Sequence, residues 1–106
     1  MTMQTKPTPE QALIRLRLDP DLAPDLRDAI DQAHAEAVAF LDGKLYADED
    51  EVIIAGDVRG ILIKPDIIAA QLLLLDAALG NNATQDRESK RTTAFNILRR
   101  HRNMGV

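Results

Sequence analysis

The stretch Asp21–Gly43, DLAPDLRDAIDQAHAEAVAFLDG, decides how the rest of the chain reads. Leu22, Leu26, Ile30, Ala33, Ala37, Phe40 and Leu41 recur at steps of three and four, which places them on one face of a helix. Asp21 can cap its start and Pro24 is tolerable in the first turn. Asp25 and Asp28 suit the positive end of the helix dipole, and Gly43 is a natural stop. The opposite face carries Asp25, Asp28, Asp31, Gln32 and Glu36, so it meets solvent or a polar partner. One long amphipathic helix must bury its apolar face against other elements.

Those elements lie on both sides. Upstream, the pattern predicts a helix from Pro9 to about Leu18. Thr8 is the candidate N-cap, Pro9 fits the first helical position and Gln11 the third, and Asp19-Pro20 ends it. Downstream, a third helix runs from Pro65 to about Leu79 and is apolar on most of its surface. Its apolar run Ile67–Leu79 contains Gln71 and Asp76 and falls short of the roughly 20 residues a membrane span needs. It reads as a helix surrounded by other helices. Gly80-Asn81-Asn82 stops it, ATQDRES reads as a polar linker, and a fourth helix is expected from about Ser89 to Arg102. Its apolar stripe is narrow: Ala94, Phe95, Ile97 and Leu98.

Between the second and third helices the pattern changes. KLYADEDE is acidic and irregular. Val52-Ile53-Ile54 and Ile61-Leu62-Ile63 are short β-branched runs separated by Gly56-Asp57-Val58-Arg59-Gly60, which predicts a hairpin. A lone two-stranded hairpin is marginal in water, so it must lie on the helices or pair with a neighbouring subunit. The expected fold is all-α: one domain over residues 1–106, a small bundle of about four helices with a long second helix, and a loop or short β-hairpin between helices two and three.

Composition narrows the function. A chain of 106 residues makes one small domain, and such domains often gain stability by oligomerising. The aromatics are Phe40, Tyr46 and Phe95, so the core is aliphatic. There are no cysteines, which excludes disulfides, zinc ribbons and thiol catalysis. The opening MTMQTKPTPEQ has no apolar h-region, so no signal peptide is expected. The net charge is -4, and it is unevenly placed. Residues 42–57 carry six acidic side chains against Lys44, whereas residues 87–106 carry six basic side chains against Glu88. That polarity suits contact with a partner or with another copy of the chain.

No catalytic constellation assembles from these residues. His34-Ala35-Glu36 echoes the H-x-E of zinc deaminases, which need a cysteine pair that is missing here. Gly56–Gly60 lacks the Lys-Ser/Thr of a phosphate cradle. Asp48, Glu49, Asp50 and Glu51 lack the spacing of a calcium loop and read as a solvated acidic segment. His101 sits among arginines. No cofactor and no metal are expected, and an enzyme is the weakest reading. Arg99, Arg100 and Arg102 qualify in part as phosphate contacts.

The order of these pieces resembles the head–tail connector (head completion, or adaptor) family of tailed double-stranded DNA bacteriophages. The likeness spans about Leu13 to Arg102. It is carried by Leu16–Asp19; by Leu26, Ile30, Ala33, Ala37, Phe40, Leu41, Gly43 and Tyr46; by Pro65, Ile68, Ala69 and Leu72–Leu75; and by the closing Leu98-Arg99-Arg100-His101-Arg102. The resemblance implies a non-enzymatic virion part, assembled in the host bacterial cytoplasm. It would form a ring, usually of twelve copies, beneath the portal at the capsid vertex. Such a ring prolongs the DNA channel without sequence-specific binding, involves no membrane, and seats the next connector or the tail.

The resemblance also implies roles for segments. Residues 87–106 would be a portal-docking arm through Phe95, Ile97, Leu98, Arg99, Arg100 and Arg102, with the apolar stripe buried only in the complex. A fourth bundle helix packed on its own subunit is the alternative. Tyr46, Asp48, Glu49, Val52, Ile53, Ile54, Ile61 and Ile63 would face the neighbouring subunit or the tail side. Asp25, Asp28 and Asp31 would flank the channel, where negative walls let DNA slide. Two other functions stay open: a small helical nucleic-acid-binding regulator using the basic C-terminal helix, and an adaptor or antitoxin-like module with a non-viral partner.

Overall fold

The computed structural model describes residues 5–17, 21, 23–79 and 84–103, with the backbone alone at 23–25 and 84. In chain order these form α1 (Pro9–Leu16), α2 (Ala23–Leu41), β1 (Leu45–Tyr46), α3 (Glu49–Ala55), β2 (Ile61–Leu62), α4 (Pro65–Leu79) and α5 (Thr84–Arg99). The chain is mostly helical, as its patterning predicts. It differs in having five helices among the described residues, and in the character of the segment between α2 and α4.

α1 begins as its sequence dictates. The Thr8 side chain accepts from Gln11 N, and the Gln11 side chain accepts from Thr8 N in return, a reciprocal capping box with Pro9 just inside it. The helix ends at Leu16, where Arg17 turns left-handed at φ 54°. Leu18, Asp19 and Pro20, the expected end, lie outside the described residues, as does Leu22. α2 ends at Leu41, and Asp42, one residue before the expected glycine, takes the left-handed turn at φ 57°.

α4 is the axis of the molecule. Ile67, Ala70, Gln71, Leu72, Leu74, Leu75 and Ala77 are buried on it, with α1, α2 and α5 packed around it. Leu26, Ile30, Ala33, Ala37 and Leu41 of α2 face it with at most 5 % exposure, the set its periodicity selects. Gln71 is the one polar side chain fully inside among the described residues. Its Nε2 donates to the Thr5 carbonyl at 2.9 Å, and His34 Nδ1–H donates to its Oε1 at 3.2 Å. A buried amide is tolerated only when satisfied in this way. The network fixes the N-terminal segment and places His34 in a structural role.

The expected hairpin is not formed. Val52, Ile53 and Ile54 lie in α3, and Ile61-Leu62 pairs in parallel with Leu45-Tyr46, in the register Leu45↔Ile61 and Tyr46↔Leu62. A parallel pair needs a crossover, and α3 is that crossover. β-Branched residues weakly disfavour a helix, but the ends of this one are strongly defined. Asp48 Oδ1 accepts from Glu51 N at 2.9 Å, and Glu51 Oε2 accepts from Ala47 N at 3.1 Å. Three acids occupy the first turn, and Gly56 closes the last at φ 64°. Caps and dipole outweigh the propensity.

α5 begins at Thr84, so most of the expected linker is its first turns, and it packs along α4 more extensively than any other pair of elements. Ala94 and Leu98 are fully buried within the subunit, and Phe95 and Ile97 are packed against the same core. The alternative of a fourth bundle helix therefore describes this segment, and a detachable arm with a free apolar stripe does not. No helix among the described residues is long and apolar enough to cross a membrane.

Candidate functional site

The basic end is held largely by internal partners. Arg91 donates to Glu36 Oε2 at 2.8 Å and lies 5.3 Å above the Phe95 ring. Phe95 meets Phe40 with ring centroids 4.9 Å apart, and the Arg102 guanidinium lies 5.2 Å over Phe40. Two rings tilted at 42° to each other are thus capped by two cations, each cation contact contributing roughly 0.5–1 kcal/mol when partly exposed. His101 Nε2–H donates to Asp66 Oδ2 at 2.7 Å, tying the end of α5 to the start of α4. Asn103 N donates to the Leu41 carbonyl, and its Nδ2 donates to the carbonyls of Asp42 and Arg59. This leaves Arg99 at the end of α5 and Arg100 just after it exposed, with Arg87 exposed at the other end of the helix.

The other expected surfaces divide similarly. Ile61 and Ile63 are buried in the chain's own core, Tyr46, Asp48 and Val52 are half-buried, and Glu49 is exposed. Val52 turns inward toward Gly60, where an added Cβ would meet its Cγ1 at 3.1 Å. Ile53 and Ile54 point out, 75 % and 84 % exposed, and Val58 in the following turn is 99 % exposed. Asp28 and Asp31 are exposed on α2, with Asp31 paired to Lys6, and the side chain of Asp25 lies outside the described residues. Glu36, on the same polar face, is engaged by Arg91 rather than left to solvent.

The most distinctive surface is therefore the outer side of α3. Glu49, Asp50, Ile53 and Ile54 share it, because residues two apart on a helix diverge by about 200° while residues three and four apart realign. Glu51 and Val52 take the inner side. Behind α3 lies a cleft of about 560 Å³, between the N-terminal segment, α2 and the start of α3. Pro7, Pro9, Arg27, Ile30, Ala47 and Glu51 contribute to its walls. Nothing in the sequence marked this cleft. Its parts come from three distant segments and become one feature because the Gln71–Thr5 bond, the Lys6–Asp31 pair and the packing of α1 on α2 and α4 seat the N-terminal segment.

Three carboxylates tie these pieces together. The Lys6 hydrogen bond and charge hold Asp31 below the usual carboxylate value. The Tyr46 hydroxyl donates to Asp57 Oδ2 at 2.8 Å, and with the Arg59 N–H it holds Asp57 low, while the same bond pushes Tyr46 up. Partial burial works against ionised Asp66, but the His101 hydrogen bond and charge, with the helix N–H groups, outweigh it and lower its pKa. A lowered folded-state pKa gives stability that is complete above the usual value of 3.8 and is lost as pH falls through the folded value. For Tyr46 the sign reverses: its contribution is complete below 10 and is lost as pH rises through the raised value. Melting temperature is thus expected to fall below about pH 4. In Tyr46→Phe that fall is shallower, because the principal bond lowering Asp57 is gone; melts from pH 2.5 to 7 test this.

Among the described residues, no group of three or more His, Asp or Glu side chains could hold a metal ion. Compared with protein-family models, with curated proteins and with solved structures, the chain matches none.

Proposed function

We propose that the chain is a structural part of a tailed-phage virion, a head–tail connector that forms a ring joining the capsid portal to the tail or to the next connector. The observation that supports this reading is the outer side of α3. Ile53, Ile54 and Val58 are exposed within one six-residue stretch, beside Glu49 and Asp50, on the segment where the resemblance expects the neighbouring subunit. Exposed apolar residues grouped in this way mark a contact surface more often than scattered ones do. The other exposed large aliphatics among the described residues, Ile14 at 77 % and Leu79 at 37 %, lie singly on α1 and at the end of α4. A connector is a non-enzymatic part, a role compatible with His34 and His101 each being bound to a partner within the fold.

The buried stripe of α5 changes how the portal would be met. Phe95, Ile97 and Leu98 serve the fold, and the docking edge reduces to Arg99 and Arg100 where α5, held in place, ends. Arginines on a rigid edge suit an acidic portal surface, each exposed pair adding about 0–1 kcal/mol and the ring repeating it many times.

The test mixes the chain with the portal ring of the same genome and images the product by electron microscopy. The full chain is expected to add a ring beneath the portal, and Arg99→Glu/Arg100→Glu is expected to lose it while keeping its fold. A wild-type chain that leaves the portal bare overturns the connector reading. Duplex binding that weakens steeply with salt and disappears in the same double variant would favour the nucleic-acid-binding regulator instead.

A further inference from the structure

The outer side of α3 and the cleft behind it lie on opposite flanks of one short helix. Ile53 projects about 200° away from Glu51, which lines the cleft, so α3 cannot fill its own cleft. The two surfaces are nonetheless complementary. The knob is apolar at Ile53 and Ile54 and acidic at Glu49 and Asp50. The cleft is apolar at Pro7, Pro9 and Ile30 and carries the exposed cation Arg27 at its wall; of its other charged groups, Lys6 and Asp31 pair with each other and Glu51 accepts from Ala47 N. Among the described residues no ion pair holds Arg27, Glu49 or Asp50. A cleft of about 560 Å³ has room for the two isoleucine side chains of a seven-residue helix.

We infer that the cleft receives the α3 knob of a second copy of this chain. Ile53 and Ile54 enter against Pro7, Pro9 and Ile30, and Glu49 and Asp50 meet Arg27. Because knob and cleft face away from each other on opposite flanks of α3, one neighbour cannot engage both, and the contact is heterologous: each copy uses its knob on one neighbour and offers its cleft to another. Repetition of such a contact closes a ring or extends a filament, and it cannot stop at a two-fold dimer. The inference rests on the self-association in the proposed function and needs neither portal nor tail.

Sedimentation velocity of the full chain, alone and in mixtures, tests it. The wild-type chain is expected to form concentration-dependent species larger than a dimer of the 11.7 kDa subunit. Ile53→Ser/Ile54→Ser removes the knob and Arg27→Glu repels it. All three changes are on exposed positions, where folding is little affected, and thermal melts check that. Each variant alone is expected to lose the large species. Mixed together they are expected to give a one-to-one dimer and nothing larger, since one intact knob and one intact cleft remain. Arg27→Glu should regain self-association when combined with Glu49→Arg/Asp50→Arg in the same chain.

A wild-type chain that is monomeric at millimolar concentration overturns the inference. So does a knob-deficient variant that still assembles, or a mixture that stays monomeric or grows past a dimer. If the isolated chain is monomeric and the portal still acquires a ring, the knob-and-cleft contact fails and the connector reading stands. If large species form but the portal stays bare, the reverse holds.

Discussion

Leu98→Ala is expected to remove about 2–5 kcal/mol of stability, the range for deleting a fully buried leucine side chain without collapse of the cavity. Leu98 is 0 % exposed and packs in one core with Leu26, Leu41, Ile67, Leu74 and Leu75. Domains of this size have a total stability of only about 5–15 kcal/mol. The variant should therefore melt lower by about 8 °C or more, at roughly 4–8 °C per kcal/mol. The result bears on function as well as on fold. If α5 were an arm that orders only on the portal, Leu98→Ala would leave the free chain's melting temperature unchanged. A change of less than 1 °C in urea-free buffer would mean that α5 is not docked in solution.

The second large effect is expected at Gly43. A Cβ there would sit 2.4 Å from the Arg59 carbonyl oxygen and 2.5 Å from Asn103 Nδ2. A backbone carbonyl cannot step aside as a flexible side chain can, so Gly43→Ala must separate the end of α2, the Arg59 turn and Asn103. Overpacking of this kind costs about 1–3 kcal/mol, and more where several bonds break together. Three hydrogen bonds converge beside it, from Asn103 to Leu41, Asp42 and Arg59. Gly56→Ala supplies the contrast. Its added Cβ meets nothing within 4 Å, but its φ of 64° favours glycine, so the cost is a local 1–2 kcal/mol that leaves Asn103 in place. Hydrogen exchange at Asn103 separates the two: faster in Gly43→Ala, unchanged in Gly56→Ala.

Both effects show where the sequence was legible. α2 and α4 could be read because a long amphipathic or apolar pattern has few alternative foldings, and α1 because Thr8, Pro9 and Gln11 make one coherent start. Gly43 was visible as a stop, but its actual role is close approach, which depends on Arg59 and Asn103 arriving from elsewhere. α3 was read as a strand from Val52-Ile53-Ile54 because β-branched residues dominate so short a run. The contrary signal was present, in Asp48 with Glu51 three residues on and Gly56 at the end, and capping outweighed propensity. The first turns of α5 show no apolar periodicity because Gln85–Ser89 all face solvent. The arginines were legible as a cluster, but their partners Glu36 and Phe40 lie more than fifty residues away, and only the tertiary fold shows which cations remain outside.

The clasp at Asn103 also bears on synthesis. The chain emerges from the ribosome N-terminus first, at about 5–20 residues per second. The helix that covers α4 most extensively, and the residue that locks the α2 end to the Arg59 turn, are made after the elements they hold. Until they emerge, the leucines of α4 stand uncovered on one side, in a nascent chain with no alternative shelter for them. A product interrupted near Asp86 would not be a smaller working subunit that merely lacks its contact edge. It would be an open intermediate with sticky apolar surface, dependent on chaperones and prone to clump. A chain truncated after Asp86 is therefore expected to be recovered as aggregate or proteolysed fragments rather than as a folded subunit lacking only its contact edge, which its yield in the soluble fraction tests.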